Sequence, residues 1–145
     1  MDVFFFFLII MFLQPKKVKY KKHRKGKVKK IEYKTNKLKF GAVGLKARES
    51  GRITSRQIES ARQAITRKIK RQGKLWIRVF PSIPVTTKPV EVRMGKGKGA
   101  VNYWAAKVGT GSVIFEIEGI SVSLAKAAFR TGGAKLPVST QLTYR

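Results

Sequence analysis

The chain contains no cysteine and only one histidine, and these scarcities exclude several kinds of site. Without cysteine it can form no disulfide and no thiolate zinc site. The single histidine, His23, lies inside a run of lysines, where we expect a solvated side chain without a chemical role. A metal centre or a histidine-dependent triad needs more parts than this. We therefore predict no metal site and no cofactor.

Acidic residues are also scarce, with seven Asp and Glu against 33 Lys and Arg. Only Glu116 and Glu118 lie close together, and a spacing of two places both on one face of a strand. Such a pair could serve acid–base catalysis, but we favour a polar strand face that meets basic neighbours. The sequence therefore predicts a protein that is not an enzyme. A metal-dependent nuclease using these two glutamates is the catalytic alternative.

The resulting net charge of +26 on 145 residues is the strongest functional signal in the composition. Like charge at this density repels itself and destabilises a compact state. A bound polyanion relieves the repulsion and releases counterions, so that about ten phosphate contacts make affinity fall by roughly 10³–10⁵ between low and moderate salt. Nucleic acid is the first expected partner, and an anionic membrane surface ranks second.

An uninterrupted apolar run, VFFFFLIIMFL, occupies residues 3–13. It is shorter than the roughly 20 residues that span a bilayer, and neither a basic segment before it nor a small-residue cleavage site after it marks a signal peptide. Three interpretations stay open: a peripheral membrane contact, an apolar extension that packs on a neighbour, or translated sequence upstream of a functional start at Met11. We prefer the last two and treat residues 1–12 as an apolar extension.

Residues 13–39 form the next unit, which we call the basic arm. Between residues 16 and 39 it carries thirteen Lys or Arg and one acid, Glu32, without helical or strand periodicity. Tyr20 and Tyr33 are interleaved with these charges and could stack on bases. We predict an RNA-binding segment. Its predicted RNA contacts are Lys16, Lys17, Lys19, Lys21, Lys22, Arg24 and Lys25.

A helix is predicted to begin at Thr54, because Thr54 and Gln57 have the spacing of a capping box. Ile58, Ala61, Ile65 and Ile69 then recur every three or four residues, which indicates one buried stripe, and a glycine at position 73 is expected to end the helix. Basic side chains lie mostly off this stripe and continue into the next strand. They predict a second RNA-facing surface made of Arg56, Arg62, Arg67, Lys70, Arg71, Lys74 and Arg78.

The remaining chain predicts strands and a second helix. Residues 40–53, which are rich in glycine, are read as loops and strand ends. Strands at about 75–80, 90–93, 102–108 and 112–118 are expected to form an antiparallel meander.

A second helix is expected to begin at Ser121 or Ser123, to bury Leu124, Ala127, Ala128 and Phe129, and to end at Gly132 and Gly133. A strand at about 136–143 closes the chain. The predicted class is α+β, a compact antiparallel β sandwich or barrel-like sheet with two helices and an extended basic N-terminal arm, with residues 40–145 as one domain.

The segment 93–99, which we call the Gly-Lys loop, is predicted to lie between two strands and to contact RNA. Its alternating glycines permit left-handed backbone and close approach of another chain, and its cations can meet phosphate. A dinucleotide-binding fingerprint fits poorly, because no βαβ unit surrounds the glycines, and a merely flexible hairpin is the other alternative. The loop consists of Arg93, Met94, Gly95, Lys96, Gly97, Lys98 and Gly99.

Two long stretches resemble signature sequences of large-ribosomal-subunit protein sixteen, the bacterial-type L-sixteen family. They are KRQGKLWIRVFP at residues 70–81 and RMGKGKGAVNYW at residues 93–104. Shorter matches are LQPK at 13–16, TSRQIESA at 54–61, FEIEGI at 115–120 and AKLP at 134–137. The resemblance covers roughly residues 13–141.

This resemblance implies a structural protein that binds large-subunit rRNA beneath the central protuberance and helps to shape the aminoacyl-tRNA site. The Gly-Lys loop is similar to the family's loop that reaches toward tRNA, and Arg93 matches an arginine that some bacteria hydroxylate. The implied partners are large-subunit rRNA, tRNA and neighbouring ribosomal proteins, with no small-molecule substrate.

The chain departs from the family pattern in two places. Residues 1–10 are extra, and residues 22–39 are richer in lysine than the arginine–glycine mixture expected there. Lysine outnumbers arginine two to one, and the run at 108–128 looks nearer to mitochondrially encoded members. We predict a mitochondrial ribosome ahead of a plastid or a bacterial cytoplasm. The functional alternative is a membrane-surface protein anchored by residues 3–13, with residues 16–39 as a polybasic second signal.

Overall fold

The computed structural model describes residues 13–145, so the predicted apolar extension at 1–12 lies outside the described residues. The elements are β1 (Val43–Ala47), β2 (Gly51–Thr54), α1 (Ser55–Lys68), β3 (Lys74–Ile77), β4 (Ile83–Thr87), β5 (Ala100–Val108), β6 (Val113–Glu118), α2 (Val122–Gly133) and β7 (Thr140–Tyr144). The predicted α+β class with two helices is confirmed. Within residues 13–145, no helix is long and apolar enough to cross a membrane.

The strands form two antiparallel sheets. One has the order β3-β6-β1-β7, and the other has the order β2-β5-β4. A single core joins both sheets to the two helices, with Phe115 of β6 and Phe129 of α2 fully buried in it. Burying an aromatic side chain of this size removes roughly 150–250 Å² from water, which makes such residues major contributors to core stability.

The predicted meander is wrong. β5 and β6 are consecutive along the chain but belong to different sheets, and residues 109–112 carry the chain from one sheet to the other. β1 and β2 lie in the segment predicted as loops and strand ends. β6 pairs with β1 and β5 pairs with β2, so these two strands keep β5 and β6 apart. Glycines at 41, 44 and 51 suggested loops and strand ends. Gly51 is indeed the first residue of β2, but Gly44 lies inside β1.

The strand predicted at 90–93 is also wrong, because this segment is an exposed turn and the strand is β4, at Ile83–Thr87. β4 contains Pro84, which has no N–H to donate to a neighbouring strand. It is tolerated because β4 is an edge strand with only β5 beside it.

Helix α1 begins as predicted and ends earlier. Both hydrogen bonds of the capping box are present, between the Thr54 side chain and the Gln57 N–H and between the Gln57 side chain and the Thr54 N–H. The predicted Ile stripe is buried. The helix ends at Lys68, and Lys70 and Arg71 then adopt left-handed backbone with φ of 50° and 63°. Gly73 is also left-handed but lies beyond the helix end, so its predicted role as the terminating residue is wrong.

The capping box makes Thr54 a testable determinant of stability. Thr54→Ala removes the acceptor for the Gln57 N–H, and we expect the free energy of unfolding to fall by about 1 kcal/mol. Urea unfolding followed by circular dichroism measures this. Ser60→Ala, which changes an exposed serine of the same helix, is the matched control and should change stability little. Equal effects of the two substitutions would contradict a specific role for the cap.

Helix α2 packs against α1 through a glycine. Ser121 is its N-cap but makes no side-chain capping hydrogen bond, and the helix continues through Gly133 to a C-cap at Ala134. The predicted end at Gly133 is confirmed, but neither Gly132 nor Gly133 adopts the left-handed backbone of a glycine cap. A Cβ at Gly132 would collide with the side chain of Ile65 on α1, so this glycine lets the two helices approach closely.

Candidate nucleic-acid interface

The basic arm runs over the fold with little regular structure of its own. Residues 13–42 contain no helix and only one isolated bridge, between Ile31 and Thr110. Its aromatic side chains Tyr20 and Tyr33 are 64% and 77% exposed, and His23 is exposed as predicted. All seven arm cations predicted to contact rRNA are exposed: Lys16, Lys17, Lys19, Lys21, Lys22, Arg24 and Lys25.

Backbone hydrogen bonds fasten the middle of the arm to the turn before β6. The N–H of Glu32 donates to the carbonyl of Thr110 at 2.9 Å, and the N–H of Thr110 donates to the carbonyl of Lys30 at 2.9 Å. The Ser50 hydroxyl lies 3.0 Å from the Lys30 carbonyl and donates to it. These contacts hold the arm's backbone against the fold, while its lysine side chains stay exposed to solvent.

A buried carboxylate fastens the end of the arm. Glu116 is fully buried, and its Oε2 accepts from the N–H groups of Lys39 at 3.1 Å, Phe40 at 2.7 Å and Gly41 at 2.9 Å. Its Oε1 accepts from the guanidinium of Arg78 on the other side. Burial raises the pKa of the Glu116 carboxyl, but the three backbone donors and the guanidinium lower it by more, so its pKa lies below the ordinary value. Glu118, two residues on, is exposed.

Aromatic rings cover the ion pair of Arg78 and Glu116. The Phe40 ring stacks on Trp76 with centroids 5.9 Å apart, and the Arg78 guanidinium lies 5.3 Å from the Phe40 centroid. The Lys74 ammonium lies 5.2 Å from the Trp76 centroid. The Arg78 side chain is therefore only 11% exposed and is paired with Glu116 inside the fold. The sequence did not indicate this pairing.

Four cations of α1 and of the turn that follows it line a groove with a volume of about 590 Å³, which we call the α1 groove. Arg62 is held in place by two hydrogen bonds to Glu59, at 2.8 and 2.6 Å. This contact outweighs burial of the guanidinium and raises the pKa of Arg62. The left-handed backbone after the helix places two further cations beside it. The groove is lined by Arg62, Gln63, Thr66, Arg67, Lys70 and Arg71.

The Gly-Lys loop protrudes, and its tip is bare. Met94 is 99% exposed, and the backbone is left-handed at Gly95, Lys96 and Gly97, with φ of 96°, 51° and 84°. The Lys98 ammonium donates to the carbonyl of His23 at 2.6 Å, so the loop contacts the basic arm. Lys88, before the loop, donates to the carbonyl of Gly95.

The cations predicted on the second surface thus lie in several places. Arg62, Arg67, Lys70 and Arg71 line the α1 groove, whereas Lys74 and Arg78 lie at the two ends of β3. Arg56 lies apart, beside Thr54 and Tyr103. Sequence reasoning missed Lys88 and the Phe40–Trp76 stack, because no local pattern reports a contact between distant segments. In the described part of the chain, no three His, Cys, Asp or Glu side chains lie close enough to hold a metal ion.

Almost the whole chain matches one family of known proteins. The model of the family described as ribosomal protein L16p/L10e matches residues 15–143. Large ribosomal subunit protein uL16 of Cereibacter sphaeroides is 56% identical over 133 residues, covering 92% of this chain and 97% of the relative. The uL16 proteins of Caulobacter vibrioides and Bartonella quintana are 56% and 55% identical over 92% of this chain, covering 93% and 97% of those relatives.

Proposed function

Because this chain belongs to the ribosomal protein L16p/L10e family, we propose that it is a structural constituent of the large ribosomal subunit that binds large-subunit rRNA and helps to shape the aminoacyl-tRNA site. The observation that carries this proposal is the 56% identity to uL16, a named large-subunit protein, over 92% of the chain. The resemblance seen in the sequence is confirmed at the level of the family. A structural rather than catalytic role follows from it.

The α1 groove supports rRNA binding through the sugar–phosphate backbone. Three of its cations, Arg67, Lys70 and Arg71, are exposed, and its lining contains no aromatic side chain on which a base could stack. Consecutive left-handed residues that are not glycine cost roughly 1–3 kcal/mol each, and such strain clusters at binding sites. The groove therefore suits phosphates of a helical RNA segment, without base recognition.

The basic arm supports a second and different mode of rRNA contact. It combines exposed lysines with exposed Tyr20 and Tyr33, the combination that binds unpaired nucleotides by charge and stacking. In this proposal residues 13–39 act as an RNA-binding arm and residues 40–145 as the domain that carries it. Lys74 completes the basic surface on β3, whereas Arg78 contributes mainly by holding the arm through Glu116.

The Gly-Lys loop is the part that we assign to tRNA. Its exposed tip carries Arg93, Met94 and Lys96 away from the sheets. The mitochondrial location also belongs to the proposal. It is supported by the excess of lysine over arginine, while the relatives named above are bacterial. Within residues 13–145, no observation favours the membrane-surface alternative.

Co-sedimentation with ribosomal particles tests the proposed function. We expect the tagged full-length protein to sediment with the large subunit at physiological salt and to dissociate at high salt, because its contacts are mainly with phosphates. Deleting residues 1–10 should leave incorporation intact, since the family match begins at residue 15. Recovery of the protein only in free fractions at physiological salt would contradict the proposal.

A further inference from the structure

Two lysines of the Gly-Lys loop have different surroundings although both are exposed and only two residues apart. The Lys98 ammonium donates to the carbonyl of His23 in the basic arm at 2.6 Å. The Lys96 side chain projects from a left-handed backbone position at the tip, and no hydrogen bond or ion pair engages it within residues 13–145. The structure thus separates one lysine that is used internally from one that is available to a ligand.

The contact between arm and loop is reciprocal. Lys22 of the arm donates its ammonium to the carbonyl of Lys98 at 2.8 Å, while Lys98 donates to the neighbouring arm carbonyl at His23. Two charge-assisted hydrogen bonds therefore join adjacent residues of one segment to a single residue of the other, 75 and 76 positions away in sequence. We call this pair of contacts the arm–loop clasp.

Both sides of the clasp are attached to the fold. Arg52 of β2 donates to the carbonyl of Gly26, three residues beyond His23, and so ties the arm to the smaller sheet. Lys88 donates to the carbonyl of Gly95 and so ties the loop to the chain that leaves β4. The clasp therefore connects two segments that are each tied to the fold by a further contact, the arm at Gly26 and the loop at Gly95.

The glycines of the loop make such bracing necessary. A Cβ at Gly95 or Gly97 would meet nothing within 4 Å, so these glycines serve left-handed backbone rather than tight packing. A glycine-rich segment without packing contacts has high conformational entropy, and ordering it costs roughly 1–2 kcal/mol per residue. Bracing the loop in the free protein removes part of that cost from ligand binding.

We propose that Lys22, Lys88 and Lys98 are positioning residues that hold the Gly-Lys loop, and that Arg93, Met94 and Lys96 are the residues with which the loop contacts its RNA ligand. Fixing the arm on rRNA would then fix the loop as well, since the clasp joins them. This division of roles rests on the proposed function for the identity of the ligand, whereas the clasp itself is a property of the free chain.

Backbone ¹⁵N relaxation of the free full-length protein tests the clasp. The variants are Lys98→Met and Lys96→Met, which remove the same charge two residues apart and keep a side chain of similar length. We expect order parameters at Gly95 and Gly97 to fall from about 0.8 to below about 0.6 in Lys98→Met and to stay at the wild-type value in Lys96→Met. Lys22→Met should behave like Lys98→Met. Unchanged order parameters in Lys98→Met, or equal changes in both loop variants, would overturn the clasp.

A second readout separates positioning from contact. In ribosomes that carry each variant, aminoacyl-tRNA affinity is measured as a function of salt. We expect the slope of log K against log salt to become less steep by about 1 in Lys96→Met, as loss of one phosphate contact requires. Lys98→Met should lower the affinity while leaving the slope unchanged. A slope change with Lys98→Met equal to that with Lys96→Met would show that both lysines contact the ligand and would overturn the assigned roles.

The two proposals fail separately. Relaxation is measured without ribosomes, so a protein that never co-sediments with the large subunit could still show the clasp, and the proposed function alone would fall. A chain that co-sediments normally but shows no difference between Lys98→Met and Lys96→Met would retain the proposed function and lose the clasp.

Discussion

Replacing Glu116 with alanine is expected to lower the free energy of unfolding by about 3–5 kcal/mol, the range measured when one partner of a buried ion pair is removed. The substitution leaves the Arg78 guanidinium, which is only 11% exposed, and three backbone N–H groups without their acceptor. It also releases the junction between the basic arm and β1. Chemical denaturation of the full-length protein measures the change.

Glu118→Ala is the matched control, because Glu118 lies on the same strand and is exposed. Its removal should change stability by less than about 1 kcal/mol, as is typical of surface charges. A loss of stability no larger for Glu116→Ala than for Glu118→Ala would show that the buried carboxylate does not hold the arm.

The same carboxylate should make stability depend on pH. The pKa of Glu116 is lower in the folded chain than its ordinary value of 4.5, so its contribution is present above pH 4.5 and is lost as the pH falls through the folded-state pKa. Burial raises the pKa of Glu59, but side-chain hydrogen bonds from Arg62 and Gln63 and the charge of Arg62 lower it by more, so this group adds to the acid sensitivity. Glu116→Gln should therefore weaken the loss of stability on acidification without abolishing it.

Neutralising the α1 groove is expected to produce the largest loss of RNA affinity. Arg67→Gln, Lys70→Gln and Arg71→Gln together remove the three phosphate contacts that we propose, and the slope of log K against log salt should become less steep by about 3. Since each contact contributes about 0.9 log units at 0.1 M salt, affinity for a large-subunit rRNA transcript should fall roughly 10²–10³-fold. Filter binding over a range of salt concentrations measures both quantities.

A variant with the same change of charge elsewhere provides the control. Lys126, Arg130 and Lys135 are exposed cations on and just after α2, outside the α1 groove. Their replacement by glutamine should affect affinity much less than the groove variant does. Equal losses in the two triple variants would mean that net charge alone determines binding and that the groove has no special role.

The features that sequence reasoning predicted well are those determined by neighbours along the chain. The capping box needs only Thr54 and Gln57, three residues apart, and the buried stripe needs only the helical repeat of α1. The two signature stretches identified the family from contiguous residues alone, and the match over residues 15–143 confirms it. The individual RNA contacts stay predictions.

The errors arose where the outcome depended on which distant strands pair. The short turn between β5 and β6 suggested a hairpin, but each of these strands pairs with a different strand. The alternating pattern of a strand does not identify its partner. Glycines in β1 and β2 resembled loop residues because their role, close packing against Leu38 and Val138, is visible only in three dimensions.

By itself, the amino-acid sequence determined the net charge, its concentration in the arm, α1 and the Gly-Lys loop, the helix start and the family. Only the tertiary structure decided how those charges are used. It buried Glu116 beside Arg78 and turned Lys22 and Lys98 toward backbone carbonyls. It left Lys96 at the loop tip without a hydrogen bond or ion pair to any residue from 13 to 145. The physical reason is that a lysine is identical in composition wherever it stands, whereas its function depends on the donors, acceptors and water that the folded chain places around it.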